Sequence, residues 1–141
     1  MSGAGMNTLE IAAVPESLPE VLDFINARLA RAGCESRLMT QIDVAAEEIF
    51  VNISSYAYKP ETSSAWIQVE KQGNPPSAVL RFSGQGKPYN PLEKPDPDLK
   101  LPLRERKKGG LGIYIVNQSM DTAAYEYRDG QNVLTVMKRI G

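Results

Sequence analysis

The sequence contains no histidine, one cysteine and one tryptophan among its 141 residues. Without histidine the chain has no Ser/His or Cys/His nucleophile pair, no His-ligated zinc and no phospho-accepting histidine. Because Cys34 is the only cysteine, the chain forms no internal disulfide. Carboxylates, hydroxyls, lysines and arginines must therefore carry any chemistry that the chain performs.

A strong charge imbalance and a long apolar run are also missing. Sixteen basic and seventeen acidic residues give a formal net charge of −1, which argues against a general electrostatic attraction to nucleic acid or an anionic membrane. No apolar run reaches the roughly 18 residues of a membrane-spanning helix or follows a basic start as in a signal peptide. We expect a cytoplasmic protein that binds neither nucleic acid nor membrane directly.

The length is that of one ordinary domain, which would bury about two-thirds of the surface of its unfolded chain. Residues 1–6 read as a flexible start or a cloning remnant, and residues 7–141 as the single domain. Apolar periodicity and turn residues predict five strands and three helices. In chain order these are strand 9–14, helices 18–33 and 36–59, strands 65–71 and 78–83, helix 111–120, and strands 122–128 and 132–140. Residues 84–108 contain five prolines and no periodicity, which predicts a long functional loop.

Glu48 and Asn52 form the first candidate site, on the second predicted helix. At about 100° per residue they lie on one side of the helix, beside the buried stripe that passes through Ile49. Glu47 points about 160° away from that stripe, into water. Glu48 can therefore accept a proton in a pocket, and Asn52 can hold a hard cation. The alternative for such a pair is a solvated helix face.

A basic run that ends in three glycines forms the second candidate site, at the start of the third predicted helix. It covers residues 104–112, with the sequence Arg-Glu-Arg-Lys-Lys-Gly-Gly-Leu-Gly. Unpaired N–H groups and the positive end of a helix dipole favour an anion there, and glycine lets the backbone approach a phosphate closely. The run is neither a Walker loop nor a dinucleotide fingerprint. A flexible hinge with solvated lysines is the alternative.

Three spaced motifs together resemble a known family. They are EIFVN at residues 48–52, GKPYNP at residues 86–91 and GGLGIYIV at residues 109–116. In this order they are similar to the GHKL ATP-binding superfamily, and within it to the small bacterial anti-sigma-factor serine kinases. The pattern of those kinases includes a Glu-x-x-x-Asn helix, an Asp-x-Gly-x-Pro-Phe-Asn-Pro loop and a Gly-Gly-x-Gly helix start. The resemblance runs from about residue 9 to residue 140.

The resemblance implies the Bergerat ATP-binding fold, which is a two-layer α+β sandwich. Its mixed, mostly antiparallel sheet carries helices on one face, and ATP lies between sheet and helices under a long lid, here residues 84–108. Glu48 would accept the proton of an incoming serine hydroxyl, and Asn52 would bind Mg²⁺. Further nucleotide contacts are implied at Gly84, Gly86, Arg104, Lys108, Gly109, Gly110, Leu111, Gly112 and Thr135.

Each of these contacts has a distinct implied part. The glycine-rich helix start wraps the phosphates, Arg104 or Lys108 adds charge near the γ-phosphate, and Gly86 lets the loop pass under adenine. The Thr135 hydroxyl, on the same strand face as Val133 and Met137, helps to bind adenine.

Gly84 departs from the family pattern, because the motif has an aspartate there that accepts a hydrogen bond from the adenine amino group. Gly84 shares a strand face with Leu80 and Phe82, the face expected to meet the helices. Glycine has no side-chain acceptor, which weakens the case for tight ATP binding. We expect Gly84→Asp to tighten ATP binding, provided that residue 84 has strand-like backbone angles.

Three functions remain open. The first is an ATP- and Mg²⁺-dependent serine protein kinase, a homodimer that phosphorylates a small anti-sigma antagonist protein and sequesters a sigma factor. The second is a switch module of the same fold that binds partners with weak or no nucleotide binding. The third is the ATPase part of a histidine kinase or chaperone-like machine. A free-standing chain with its own N-terminal strand and no room for dimerisation helices argues against the third.

Overall fold

The computed structural model describes residues 8–56, 63–88, 90, 92 and 110–141, with residues 55–56 and 110–114 described by their backbone alone. The strands are β1 (Thr8–Ala12), β2 (Ser64–Gln72), β3 (Ser77–Gln85), β4 (Thr122–Arg128) and β5 (Gln131–Arg139). The helices are α1 (Leu18–Arg31), α2 (Ser36–Tyr56) and α3 (Gly110–Ser119), and a short 3₁₀ turn at Pro15–Ser17 precedes α1. The order of elements predicted from the sequence is confirmed.

The five strands form one sheet in the order β1-β2-β3-β5-β4. Every pairing among the described strands is antiparallel, so the mostly antiparallel sheet that was predicted contains no parallel pair in this part of the chain. Alternate residues of the central strands are buried on one face against the helices, as a half-covered antiparallel sheet requires. The predicted two-layer α+β architecture is confirmed.

Helix α1 packs on strands β1 and β2 with a narrow apolar stripe. Its buried residues Val21, Ile25 and Leu29 recur every four positions, which brings them onto one side of the helix. Gly33 ends the helical segment with a φ of +85°, and the following Cys34 N–H donates to the Leu29 carbonyl at 3.0 Å. This is the left-handed cap that glycine adopts without steric cost.

Helix α2 crosses the core and contacts α1, α3 and the strands β3 and β5. Its buried residues include Ile42, Ala46 and Ile49 from the predicted stripe, together with Phe50 beside it. Burying this face removes several large side chains from water, at roughly 1.5–3 kcal/mol each, so the position of α2 is set by core packing rather than by its polar residues. The same core packing therefore also positions the side chains on the edges of α2.

The C-terminal end of α3 is joined to β5 by polar contacts. The Lys138 ammonium donates to the Ser119 carbonyl at 2.7 Å, where a cation also compensates the negative end of the helix dipole. The Asp121 carboxylate accepts the Arg139 backbone N–H at 2.7 Å, and the Asp121 N–H donates to the Met137 carbonyl at 2.8 Å. With Val116 fully buried, these contacts fix the axis of α3.

Strand β3 is longer than predicted, and this changes one boundary of the site. It continues through Gly84 to Gln85, each paired with a residue of β5, so the predicted loop 84–108 begins inside the strand. Most of the remainder of that loop lies outside the described residues, as do residues 1–6. Within the described part of the chain, no helix is long and apolar enough to cross a membrane.

Candidate functional site

The candidate site lies where the second half of α2 passes over the end of β3. The contact that joins them involves Ile53 and Gly84: the Ile53 Cγ2 atom lies 2.5 Å from the position that a β-carbon on Gly84 would take. Asn52 is adjacent to Ile53 in α2, and Glu48 lies one turn earlier, about 6 Å along the helix axis. The packing of Ile53 therefore brings the Glu48–Asn52 edge of α2 to the strand end that carries Gly84 and Gly86.

Glu48 and Glu47 have the different environments that their helical positions predict. Glu47 is exposed, whereas Glu48 and Asn52 are half-buried. Burial, and after it the negative charge of Glu47, raise the pKa of the Glu48 carboxyl above its usual value. A carboxylate whose proton affinity is increased in this way is a better proton acceptor, which is consistent with the predicted role of Glu48 as a general base.

The donor atoms at this edge suit a hard cation. Asn52 has an amide oxygen, and oxygen ligands of this kind are those that Mg²⁺ takes. Among residues 8–56, 63–88, 90, 92 and 110–141 there is no cluster of three or more His, Cys, Asp or Glu that could hold a metal. Asn52 thus fits a Mg²⁺ ion that takes most of its ligands from waters or phosphate oxygens and not from the protein.

The segment that follows β3 is hydrogen-bonded to the sheet by side chains that were not among the site residues predicted from the sequence. The Tyr127 hydroxyl donates to the Gly86 carbonyl at 3.2 Å, and the Asn132 amide donates to the Lys87 carbonyl at 2.8 Å. The Asn132 carbonyl oxygen in turn accepts the Tyr125 hydroxyl. We call Tyr125, Tyr127 and Asn132 the tether. The tether holds the start of the loop in which Gly86 is buried.

A signal for the tether was present in the sequence. Tyr125 and Tyr127 are two apart in a strand, so they share one face, and Asn132 follows the turn that pairs β4 with β5. Register then brings Asn132 opposite both Tyr127 and Gly84.

The loop also turns locally, as its Tyr-Asn-Pro sequence suggests. The Asn90 side-chain oxygen accepts the Leu92 N–H at 2.9 Å, a turn in which an asparagine side chain replaces a backbone acceptor. Leu92 packs against the hydrophobic core, so this part of the loop is anchored to the domain.

Gly84 confirms one expectation and contradicts another. It is buried on the face that carries Leu80 and Phe82, as strand alternation predicts. The expectation that Gly84→Asp would be accepted is wrong, because real β-carbons do not approach another atom as closely as 2.5 Å. Ile53 occupies the space that an aspartate side chain would need.

The structure also contradicts the implied adenine contact of Thr135. Thr135 pairs with Arg81, one residue out of phase with the Phe82–Leu134 pair that faces the helices. It lines a cavity of about 520 Å³ on the outer face of the sheet, together with Gln68, Arg81, Ser83, Glu126, Arg128, Asp129, Gln131 and Val133. Thr135 and Gly84 therefore lie on opposite faces, and Thr135 is not part of the candidate site.

The glycine-rich segment is described only in part. Helix α3 begins at Gly110, so Gly110, Leu111 and Gly112 form its first turn, as the prediction of a helix start required. A helix that begins on glycines leaves its first N–H groups open to an anion. Gly109, Arg104 and Lys108 lie outside the described residues, and their implied phosphate contacts stay predictions.

Comparison with known proteins decides the family. The sequence profile of the histidine kinase-like ATPase domain matches residues 11–138, which is nearly the whole chain. The chain belongs to that family. This confirms the GHKL-type resemblance that was identified from the three motifs.

The individual relatives have low sequence identity to this chain. A serine/threonine-protein kinase, BtrW, from Bordetella bronchiseptica is 26% identical over 130 residues, 92% of this chain and 91% of the relative. A serine-protein kinase, RsbW, from Bacillus thuringiensis is 27% identical over 115 residues, 76% of this chain and 72% of the relative.

A solved structure supports the fold. The crystal structure of the RsbU and RsbW domains of a Mycobacterium tuberculosis protein matches with a TM-score of 0.62 at 13% identity. The match covers 94% of this chain and 32% of that longer one. At this identity the likeness extends to the fold alone.

Proposed function

We propose that this chain is an ATP-dependent protein serine/threonine kinase of the anti-sigma-factor type. The observation that carries the proposal is Glu48, a half-buried carboxyl with a raised pKa one helical turn before Asn52. This edge of α2 meets the strand end that begins the nucleotide loop of the family motif. The names of the relatives, BtrW and RsbW, support a serine or threonine as the acceptor.

In the proposed reaction a serine hydroxyl of the partner attacks the γ-phosphorus of ATP while Glu48 accepts the hydroxyl proton. The bond between the γ-phosphorus and the bridging oxygen of ADP breaks, and ADP leaves with that electron pair. Bound Mg²⁺, held in part by the Asn52 amide oxygen, would supply charge neutralisation at the phosphates. Phosphoryl transfer depends mainly on positioning and charge stabilisation, so a single base and a cation ligand suffice in a chain that has no histidine.

The substrate is a small anti-sigma antagonist protein, and the kinase also binds a sigma factor in the cytoplasm, as a homodimer. Residues from about 91 to 108, with Arg104 and Lys108 near the γ-phosphate, act as the lid. We expect amide exchange in this segment to slow when Mg-ATP binds.

Transfer can be tested directly. The purified chain is incubated with Mg-ATP and with candidate antagonist proteins encoded near its gene, and phosphoserine or phosphothreonine is located by mass spectrometry. Calorimetric titration with Mg-ATP is run in parallel. Phosphorylation of one antagonist at one site supports the proposal, and nucleotide binding with no transfer to any candidate would contradict it.

One observation favours a second candidate, a switch module that binds partner proteins without transferring phosphate. Gly84 carries no acceptor for adenine, and Ile53 fills the space beside it. If titration detects no nucleotide and the chain still binds a sigma factor or an antagonist, the switch module is the better description.

A further inference from the structure

The side chain of Ile53 occupies the space that the absent side chain of Gly84 leaves free. Gly84 is buried in β3 between Ala65 and Asn132, and its missing side chain is replaced by the Ile53 Cγ2 methyl group. That methyl is 2.5 Å, and the Ile53 Cβ atom 3.8 Å, from the position of a β-carbon on residue 84. A single added methyl at Gly84 would therefore overlap Ile53.

Ile53 cannot easily move away. A β-branched side chain in a helix has essentially one preferred χ1 rotamer, so its Cγ2 atom moves only if the helix moves. Helix α2 is held on both sides of Ile53, by the buried Ile49 and Phe50 before it and by Ser54 after it, which is buried and donates to the Val51 carbonyl. Any shift would also displace Asn52. Overlap at residue 84 is therefore costly rather than absorbed by a flexible side-chain end.

The pair changes the chemistry of the surface beside the nucleotide loop. At residue 84 the family motif has a carboxylate, which accepts the adenine amino group; here the same space holds an alkyl group. The residue paired with Gly84 on β5 is Asn132, whose side chain is already bonded to the Lys87 carbonyl and the Tyr125 hydroxyl. Tyr127 donates to the Gly86 carbonyl. Around Gly84 on this face of the sheet, the described residues thus offer contact area for a base and no carboxylate acceptor.

We propose that Ile53 and Gly84 together act as an apolar base-site pair that does not discriminate between adenine and guanine. Adenine has an amino donor where guanine has a carbonyl acceptor, so a carboxylate would bind the first and repel the second. An alkyl surface does neither. This inference rests on the proposed nucleotide-dependent function, and it makes Ile53 the residue that removes the preference for adenine.

Binding is measured with Mg-ATP and Mg-GTP for the wild type, Gly84→Asp, Ile53→Ala and the double variant. The wild type should bind the two nucleotides within about 3-fold of each other. Gly84→Asp alone should gain no ATP affinity, whereas the double variant should bind ATP about 10-fold more tightly than the wild type, with no gain for GTP. A wild type that prefers ATP more than 10-fold, or a single Gly84→Asp variant as good as the double variant, would overturn the inference.

A stability measurement tests the pair without any nucleotide. Gly84→Ala should lower the melting temperature by about 4 °C or more in the wild type. The same change should lower it little when Ile53 is already alanine. Equal losses in the two backgrounds would show that the residues are not coupled and would overturn the inference.

The two proposals fail in different ways. Equal binding of ATP and GTP with no phosphate transfer would overturn the kinase and support the apolar base-site pair. If the wild type binds neither nucleotide but the double variant binds ATP, the base-site pair is overturned and the switch module is supported. If no variant binds either nucleotide, the base-site pair is overturned along with the kinase.

Discussion

The Asn132 amide donates to the Lys87 carbonyl at 2.8 Å, which joins the first residues of β5 to the segment that follows β3. Asn132 also pairs with Gly84 across the β3–β5 ladder. One residue thus contacts both the floor of the candidate site and the start of its loop. Its hydrogen bond holds the backbone of that segment before a ligand arrives, which lowers the ordering cost of binding.

Asn132→Ala should weaken nucleotide binding. Loss of the bond to Lys87 removes about 0.5–1.5 kcal/mol from the free energy that holds the loop, which corresponds to an affinity loss of about 2- to 12-fold if binding must restore that arrangement. Calorimetric titration with Mg-ATP measures the effect. Unchanged affinity would mean that the loop does not need this member of the tether.

Thr135→Val should leave nucleotide affinity within about 2-fold of the wild type. Thr135 lies on the outer face of the sheet beside Arg81, and valine has nearly the same shape, so the change is also a control for Asn132→Ala on the same strand. The same titration is used. A loss of affinity as large as that of Asn132→Ala would restore Thr135 to the site.

Glu48→Gln should abolish phosphate transfer while nucleotide binding stays within about 2-fold. The amide keeps the shape and hydrogen bonding of the side chain but cannot take a proton, and loss of a general base costs about 100- to 10,000-fold in rate. Glu47→Gln, at the exposed neighbouring position, is the matched control and should retain transfer. Equal rates in the two variants would remove Glu48 from the mechanism.

The rate of transfer should rise with pH through the pKa of Glu48, because only the carboxylate accepts a proton. Burial raises that pKa first and the charge of Glu47 second, so Glu47→Gln should move the acid limb of the pH–rate profile to lower pH. An acid limb that stays in place in Glu47→Gln would show that another group controls it.

The same shift affects stability in a definite direction. The folded state holds the Glu48 proton more tightly than the unfolded state, so its contribution to stability is present at low pH and is lost as pH rises through the raised pKa. Melting temperatures of the wild type and Glu48→Gln, compared across pH, should therefore favour the variant increasingly as pH rises. Parallel curves for the two proteins would contradict the shift.

Most of the fold could be predicted from the sequence because its elements have clear periodicity and endings. Val21, Ile25 and Leu29 define α1, Gly33 ends it, and the four-residue spacing of Glu48 and Asn52 gives their shared edge without tertiary information. The half-buried state of Glu48 and the exposure of Glu47 follow from the same helical geometry. Local rules suffice where one face of an element is plainly apolar.

Contacts between elements could not be predicted in the same way. Strand β5 has apolar residues on both faces, with Val133 and Met137 on one and Leu134 and Val136 on the other. Alternation alone therefore does not show which face of β5 meets the helices, or on which side of the sheet Thr135 lies. Ile53 could be assigned to the buried stripe, but its overlap with the space above Gly84 depends on how α2 crosses β3. The side on which Thr135 lies depends on the register of β5, and the overlap of Ile53 with Gly84 depends on the angle at which α2 packs on the sheet. Patterns in a single sequence contain neither.

The two-residue connection between β4 and β5 defines the register that the apolar pattern of β5 does not. Arg128 and Gln131 close a hairpin whose central residues, Asp129 and Gly130, have φ values of 54° and 79°. That geometry matches the twist of the strands and permits one alignment of the hairpin. A one-residue slip would bury Thr135 and turn Asn132 away from Gly84. The shape of the candidate site is thus encoded partly in a surface turn that contributes none of its residues.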